Sequence, residues 1–308
     1  MDIFLQQLIN GLVLGSIYAM VALGYTMVYG ILELINFAHG EVAMIGAMVC
    51  LAVANILLAQ AGLPGAAVLG IGLLAAIGVC VLLGFSIERI AYRPLRRAPR
   101  LAPLITAIGV SIVLQNVAMM IWGKQYIPFP SLLTATPFHI GGATVTDVQI
   151  GILLLSALMM AALVLLVQKT KLGRAMRATA QSPEVAGLMG VNTNHVISLT
   201  FVIGSALAAI AGVMVSAYYG IAHYYMGFLL GLKAFSAAVL GGIGNIGGAM
   251  LGGLLLGVIE SLGAGYIGPL TGGVLGSHYQ DVFAFFVLIL VLVFRPSGLL
   301  GERVVERA

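Results

Sequence analysis

The distribution of Lys and Arg constrains this chain more than any other feature of its sequence. No basic residue precedes Arg89, and all but two of the basic residues fall into clusters at 89–100, 169–177 and 295–307. Long apolar stretches separate these clusters. Membrane proteins show this pattern because basic loops between spanning helices are retained on the cytoplasmic side. The pattern therefore predicts a membrane protein whose basic segments all lie in the cytoplasm.

The composition supports the same class. Apolar residues make up 61% of the 308 residues, whereas charged residues make up only 8%. Soluble domains carry about 25% charged residues, and a soluble fold of this length cannot bury so much apolar surface. The net charge of +4 reflects the orienting loops, because basic and aromatic residues do not alternate as they do in single-strand binders. We therefore expect a lipid bilayer and no nucleic acid as partners.

The apolar segments predict the fold. An apolar helix needs about 20 residues to cross the hydrocarbon core. Segments of about this length lie at 7–30, 40–60, 64–87, 104–123, 147–168, 196–219 and 281–295. The stretch 227–264 is too long for one passage, and its Gly-rich centre predicts a break. We expect an all-α polytopic transmembrane helix bundle of about eight spanning helices, with seven to nine possible, in a single domain over 1–308.

The order of the segments predicts their orientation. Three passages precede the first basic cluster, so the N-terminus is expected outside, and two further passages bring 169–195 back to the inside. If the segments 227–243 and 246–264 each cross the membrane, the chain has about nine crossings. If they form one re-entrant hairpin, it has about seven. Both counts leave the C-terminus in the cytoplasm. The stretch 265–280 is expected to form external surface turns.

The Gly-rich break carries a motif with two readings. Gly242-x-Gly244-x-x-Gly247 matches the dinucleotide fingerprint, but that motif needs a strand, a helix and a βαβ unit around it. Inside an apolar stretch of membrane length, a helix break is the better interpretation. Irregular backbone at membrane depth survives only where protein or a water-filled cavity covers it. Gly242, Gly244 and Asn245 are therefore candidates for a pathway or gate.

Polar side chains flanked by apolar sequence are further candidates, because their burial costs free energy. They are Asn36, His39, Glu41, Gln115 and Asn116. The alternative is that Asn36, His39 and Glu41 line a cytoplasmic turn in water. The sequence favours neither interpretation over the other. His39 and Glu41 alone supply too few ligands for a metal site, and no catalytic grouping or proton-carrying ladder emerges. Lys233 lies near the outer end of a passage, where we expect its ammonium group to reach the headgroups.

The segment 182–190 predicts a short helix between two spans. Ser182 suits the N-cap, Pro183 the first helical position and Glu184 the positive end of the helix dipole. Gly190 can end the helix. Val185, Leu188 and Met189 would form an apolar side. An exposed apolar face requires a partner, and we favour a protein over the lipid surface because the basic residues precede this helix rather than lining it.

Four motifs resemble one known family. They are Asn36-Phe37-Ala38-His39-Gly40-Glu41, Ala91-Tyr92-Arg93-Pro94-Leu95-Arg96, Leu240-Gly241-Gly242-Ile243-Gly244-Asn245 and Arg295-Pro296-Ser297-Gly298-Leu299-Leu300-Gly301. In this order they resemble the branched-chain amino acid ABC transporter permease family, and most closely its LivH-type members. The resemblance extends from about residue 5 to residue 303.

The resemblance implies a permease in the inner (plasma) membrane of a bacterium or archaeon. It implies a second permease subunit of LivM type, two cytoplasmic ATPase subunits that use ATP, and an extracytoplasmic solute-binding protein. This chain would bind no cofactor itself and would catalyse no reaction. The helix around Ser182–Gly190 would be the coupling helix to the ATPase, with Glu184, Ala186 and Gly190 matching part of the family signature. Val185 departs from it, since a second Ala usually stands there.

The implied mechanism is alternating access, in which ATP-driven closure of the partner subunits moves the coupling helix and the permease halves. Within the family, urea, short amides and other amino acids are alternative substrates. A stand-alone secondary transporter or channel would need its own ion-coupling residues, which the thin supply of carboxylates disfavours. An intramembrane enzyme would need convergent catalytic groups at one depth, and none are evident.

Overall fold

The structure, a computed structural model, is a bundle of helices. It describes residues 2–60, 62–96, 98–99, 101–133, 136–140, 142–272 and 279–301. The helices in chain order are α1 Asp2–Leu32, α2 His39–Gln60, α3 Gly65–Ser86, α4 Leu101–Trp122, α5 Asp147–Lys169, α6 Lys171–Gln181, α7 Pro183–Leu188, α8 Thr193–Tyr219, α9 Met226–Gly241, α10 Ile246–Leu270 and α11 Gln280–Phe294.

The predicted spans correspond to these helices within a few residues. Among the described residues, 7 helices are long and apolar enough to cross a membrane, and two shorter apolar helices, α9 and α11, accompany them. The external turns predicted at 265–280 begin later than expected, because α10 continues to Leu270. Residues 273–278 of that segment lie outside the described residues. The helix α6 was not predicted; Thr170 caps it by accepting a hydrogen bond from Gly173 N at 3.0 Å.

The central helix of the bundle is α1. In its apolar stretch of 18 residues, 94% is buried, whereas only 17% of the corresponding stretch of α4 is buried. Small residues let α1 and α10 approach closely. A Cβ atom added at Gly11 would lie 2.6 Å from Val258 Cα, and one added at Gly15 would lie 2.8 Å from Leu254 Cα. The glycine spacing at Gly11–Gly15 thus marks a helix contact with α10.

Within the part of the chain that the structure describes, four short strands lie in the connections. β1 Ile127–Pro128 pairs antiparallel with β4 Ile221–Ala222, and β2 Pro137–Ile140 pairs antiparallel with β3 Ala143–Thr146. The β1–β4 pair joins the connection after α4 to the connection after α8. It therefore fixes these two connections at the same end of the bundle.

The described residues of the basic clusters share the other end, which we call the basic end. Arg96 Nη1 donates a hydrogen bond to Asn194 Oδ1 at the start of α8, at 2.7 Å. The segment after Arg295 pairs with the end of α9, where Leu299 N donates to Leu240 O at 2.9 Å. Arg177 lines a small cavity at the start of α10. The predicted clustering on one face is therefore confirmed for these residues.

Candidate functional site

The break predicted in 227–264 is a turn at the basic end. A Cβ atom at Gly252 would meet Ala237 and Gly241, so α9 and α10 are adjacent and antiparallel. Gly242 (φ 107°) and Gly244 (φ 93°) adopt backbone conformations that favour glycine. The two segments are thus confirmed as separate helices, but they meet at a helix–helix turn rather than at an opening in the middle of the bundle.

The C-terminal segment covers this turn. Leu300 N donates to Gly241 O at 2.9 Å, so the last carbonyls of α9 receive backbone partners. Asn245 Oδ1 caps α10 by accepting from Gly248 N at 3.0 Å, and Asn245 Nδ2 donates to Leu300 O at 2.9 Å. Two of the four sequence motifs, at 240–245 and 295–301, therefore form one local unit.

Three of the candidate pathway residues lie around the start of α2, Asn36 just before it and His39 and Glu41 in its first turn, and all three are buried. Asn36 Oδ1 accepts hydrogen bonds from Ala38 N at 3.2 Å and from the Tyr92 hydroxyl at 3.1 Å. His39 packs edge-on against Tyr25, with ring centroids 4.9 Å apart, and its ring fills the space beside Gly24. The interpretation of these residues as members of a solvated turn is therefore wrong; they belong to the packed interior.

Glu41 forms a buried polar cluster between α2 and α4. Its Oε1 accepts from Gln115 Nε2 at 2.7 Å and from Ser111 Oγ at 3.2 Å. Asn116, the next residue after Gln115, points to the outside of the bundle and donates to Ile112 O of its own helix at 2.8 Å. The structure thus unites Glu41 with Gln115 but places Asn116 apart from them.

Lys233 does not reach toward the headgroups as expected. Its Nζ lies 2.7 Å from Glu260 Oε1 on α10 and 2.7 Å from Asp281 Oδ1 on α11. Glu260 Oε2 accepts from the Tyr18 hydroxyl at 2.9 Å, so the cluster ties α1, α9, α10 and α11 together. The headgroup prediction fails because a buried carboxylate on a neighbouring helix offers a closer partner.

A second ionic contact was missed by the sequence reasoning. Arg96 pairs with Glu88, which is completely buried in the π-helical turn Ile87–Tyr92 that extends α3. Ser198 Oγ donates to the other Glu88 oxygen at 2.6 Å. Burial lowers the pKa of the Arg96 guanidinium, and the Glu88 carboxylate opposes that shift. Glu88 and Arg96 are 8 positions apart. This spacing does not match an α-helical ion pair, so the sequence gives no indication of the contact.

The short helix predicted at 182–190 is present as α7. Ser182 Oγ accepts from Val185 N at 3.3 Å, Pro183 occupies the first helical position, and Gly190 has φ 84° after the helix end. Ala186 is buried against the bundle. The predicted apolar side is exposed to the surroundings. The exposed fractions of its residues are 56% for Val185, 87% for Leu188 and 80% for Met189. Glu184 is also exposed.

Comparison with known proteins adds to this geometry. The family described as "Branched-chain amino acid transport system / permease component" matches residues 7–292. The chain belongs to this permease family. It is 50% identical to the high-affinity branched-chain amino acid transport system permease protein BraD of Pseudomonas aeruginosa, over 99% of this chain and 98% of that protein.

Other members of the family match along the whole chain as well. The high-affinity branched-chain amino acid transport system permease protein LivH of Escherichia coli is 46% identical, over 99% of this chain and 97% of that protein. A probable LivH of Methanocaldococcus jannaschii is 28% identical over 95% of this chain. No solved structure matches the chain. The helices and the family membership together identify a multi-pass membrane permease.

Proposed function

We propose that this chain is the inner-membrane permease subunit of an ATP-driven importer for leucine, isoleucine and valine. The observation that carries the proposal is the full-length similarity to BraD and LivH, whose names state that they are permease proteins of high-affinity branched-chain amino acid transport systems. The basic end faces the cytoplasm, since basic loops are retained there. The opposite end, with the β1–β4 pair, faces the solute-binding protein outside.

The proposed partners are a second permease of LivM type, two ATPase subunits and an extracytoplasmic solute-binding protein. ATP is bound and hydrolysed by the ATPase subunits, and this chain binds no cofactor. The permease halves would expose the pathway alternately to the two sides. Glu41 and Gln115 are the candidate polar contacts near that pathway, while the turn at Gly242 and Gly244 would move with the C-terminal segment as a gate element.

The proposed contact with the ATPase is α7. Leu188 and Met189 extend from the basic end with most of their surface exposed, and Ala186 anchors the helix from its other side. Exposed apolar faces of this kind typically mark sites of interaction with another protein or with a membrane. A cytoplasmic subunit that covers Leu188 and Met189 would therefore be linked mechanically to α8 through the short connection at 189–192.

Substitution on α7 tests this docking. We expect Leu188→Asp to lower co-purification of the ATPase subunits by about tenfold or more, because a carboxylate would be buried at the interface. Ala180→Asp is the matched control, since Ala180 is exposed on the neighbouring helix α6. Both variants should insert normally into the membrane. Equal ATPase recovery for the two variants would refute the docking role, and wild-type complex without ATP-dependent leucine uptake would refute the importer.

A further inference from the structure

A cavity of about 260 Å³ opens at the end of the bundle opposite to the basic end. It lies between α1, the end of α8 and the beginning of α9, beside the β1–β4 pair. None of the candidate pathway residues derived from the sequence lines it. Binding cavities for drug-sized ligands span about 300–1,000 Å³, so this one suits a smaller molecule.

One wall of the cavity is apolar. It is formed by side chains from α1, α8 and α9: Leu14, Val215, Met226, Leu229 and Leu230. Unbranched and branched aliphatic groups gain free energy when such a wall removes them from water, at about 25 cal/mol per Å² of apolar surface. The wall therefore favours a ligand with a short aliphatic side chain.

Aromatic rings surround the mouth of the cavity. Tyr126 stacks on His223 with ring centroids 4.2 Å apart, and Tyr219 and Tyr225 complete the ring set. His223 Nε2 lies 3.1 Å from Lys124 O, so a backbone contact holds this imidazole in place. The faces of aromatic rings attract cations, including ammonium groups. The mouth therefore suits the positively charged end of a ligand.

Lys233 provides a cation at the inner side of the cavity. Its ammonium group has three donors and no acceptor. Glu260 Oε1 accepts from one of these donors at 2.7 Å, and Asp281 Oδ1 makes an ionic contact at 2.7 Å. A remaining donor can serve a carboxylate in the cavity, which Lys233 lines together with Tyr18. The contacts with the two carboxylates fix the position of the Lys233 side chain.

We infer that this cavity is the outer substrate site of the permease and that it takes an aliphatic amino acid as a zwitterion. The carboxylate binds Lys233, the ammonium group lies against the Tyr219 and Tyr225 rings, and the aliphatic side chain packs on the wall at Leu229. The inference rests on the proposed function, because it assigns that transporter's substrate to a place. It differs from the polar residues of α2 and α4, which are the pathway candidates.

The test uses the complete transporter in proteoliposomes with its solute-binding protein. Leucine uptake and ATP hydrolysis are measured in the same vesicles, and the readout is leucine transported per ATP. We expect Leu229→Trp to lower this ratio for leucine by about tenfold, with a smaller loss for alanine, since the indole fills space that the larger side chain needs. Leu232→Trp is the matched control, because Leu232 is exposed on the same helix but does not line the cavity.

A second pair of variants tests the cation. Lys233→Gln combined with Glu260→Gln keeps hydrogen-bonding side chains but removes the ammonium group, and we expect a loss of about tenfold in leucine per ATP. Lys124→Gln, at the same end of the bundle, should transport normally. The site would be overturned if Leu229→Trp and Leu232→Trp transported the same amount of leucine per ATP. It would also be overturned if uptake and ATP hydrolysis fell in parallel, because leucine per ATP would then be unchanged. A wild-type complex that takes up no leucine would instead overturn the proposed function.

Discussion

At the scale of single residues, two buried carboxylates each contact a cation nearby in the sequence and a hydroxyl group on a distant helix. Glu260 is 1% exposed, yet it contacts Lys233 and Tyr18 from two other helices. Glu88 is fully buried and contacts Arg96 and Ser198. Charges in a bilayer interior are costly unless they are paired. These contacts therefore specify which helices are neighbours, a role that the surrounding apolar residues cannot perform alone.

Removing one member of the Glu260 cluster should destabilise the bundle more than removing two. We expect Lys233→Met to lower the free energy of unfolding by about 3–5 kcal/mol, because it leaves a buried carboxylate without its cation. Adding Glu260→Gln to this variant should recover most of the loss. Thermal unfolding of the purified protein in detergent measures both. A double variant as unstable as Lys233→Met alone would contradict this account of the cluster.

Sequence reasoning anticipated the residue types at these positions only in part. Glu260 is a carboxylate within an apolar segment, and its partners lie 27 and 242 positions away in the sequence. Lys233 was assigned to the headgroups because only its position along one helix was known. Contacts between helices depend on how the helices are arranged, and local spacing carries no information about that arrangement.

At the scale of elements, close approach of α1 and α10 depends on glycine. A side chain at Gly15 would collide with the α10 backbone at Leu254, whereas nothing lies within 4 Å of a Cβ atom at Gly78 on α3. The helices α1 and α10 can therefore make backbone contacts over several turns. In a bilayer, where helix association gains little from the hydrophobic effect, such packing is a principal source of stability.

Gly15→Val should separate these helices. We expect a loss of about 1–3 kcal/mol in the free energy of unfolding, because overpacking forces the backbones apart. Gly78→Val introduces the same side chain into open space and should leave the stability nearly unchanged. Thermal unfolding in detergent compares the two variants. If both behaved alike, the α1–α10 contact would not be the reason for the glycine at position 15.

The elements themselves were largely predictable. Apolar length identified each spanning helix, and cap chemistry at Ser182 and Pro183 identified α7. The helix α6 was missed because it is too short and too polar to be recognised as a span, although its apolar residues repeat with a helical period. The position of Gly173 is explained only by packing, since a Cβ atom there would collide with the backbone at Val167. The strands β1 and β4 were missed because each consists of two residues whose pairing is long-range.

At the scale of the whole molecule, the described residues of the three basic clusters and the turn at Gly242 lie at one end, while the aromatic cavity, with Lys124 and Lys233, lies at the other. This polarity matches the proposed mechanism, in which ATP hydrolysis acts at the basic end and substrate arrives at the cavity. Movement of α7 could reach the cavity through α8, which extends from Thr193 at the basic end to Tyr219 at the cavity.

Thiol labelling in intact cells tests the orientation. We expect a membrane-impermeant maleimide to label Lys124→Cys directly, and to label Pro99→Cys and Lys171→Cys only after the membrane is opened, since basic loops face the cytoplasm. All three positions are exposed, and the native Cys50 and Cys80 are buried and should react little. Labelling of Pro99→Cys and Lys171→Cys from opposite sides would contradict the arrangement of the basic end.

The sequence alone determined the class of the protein, its spans, its family and the clustering of its basic segments. The class, the spans and the basic clusters follow from apolar length and charge, which can be counted along the chain, and the family follows from the four motifs that resemble it. Only the tertiary structure decided that Lys233 pairs with Glu260, that the C-terminal segment covers the Gly242 turn, and that aromatic and apolar side chains from three helices form a cavity. Such features arise where distant segments meet, because the packing of small residues and the pairing of buried charges select the neighbours.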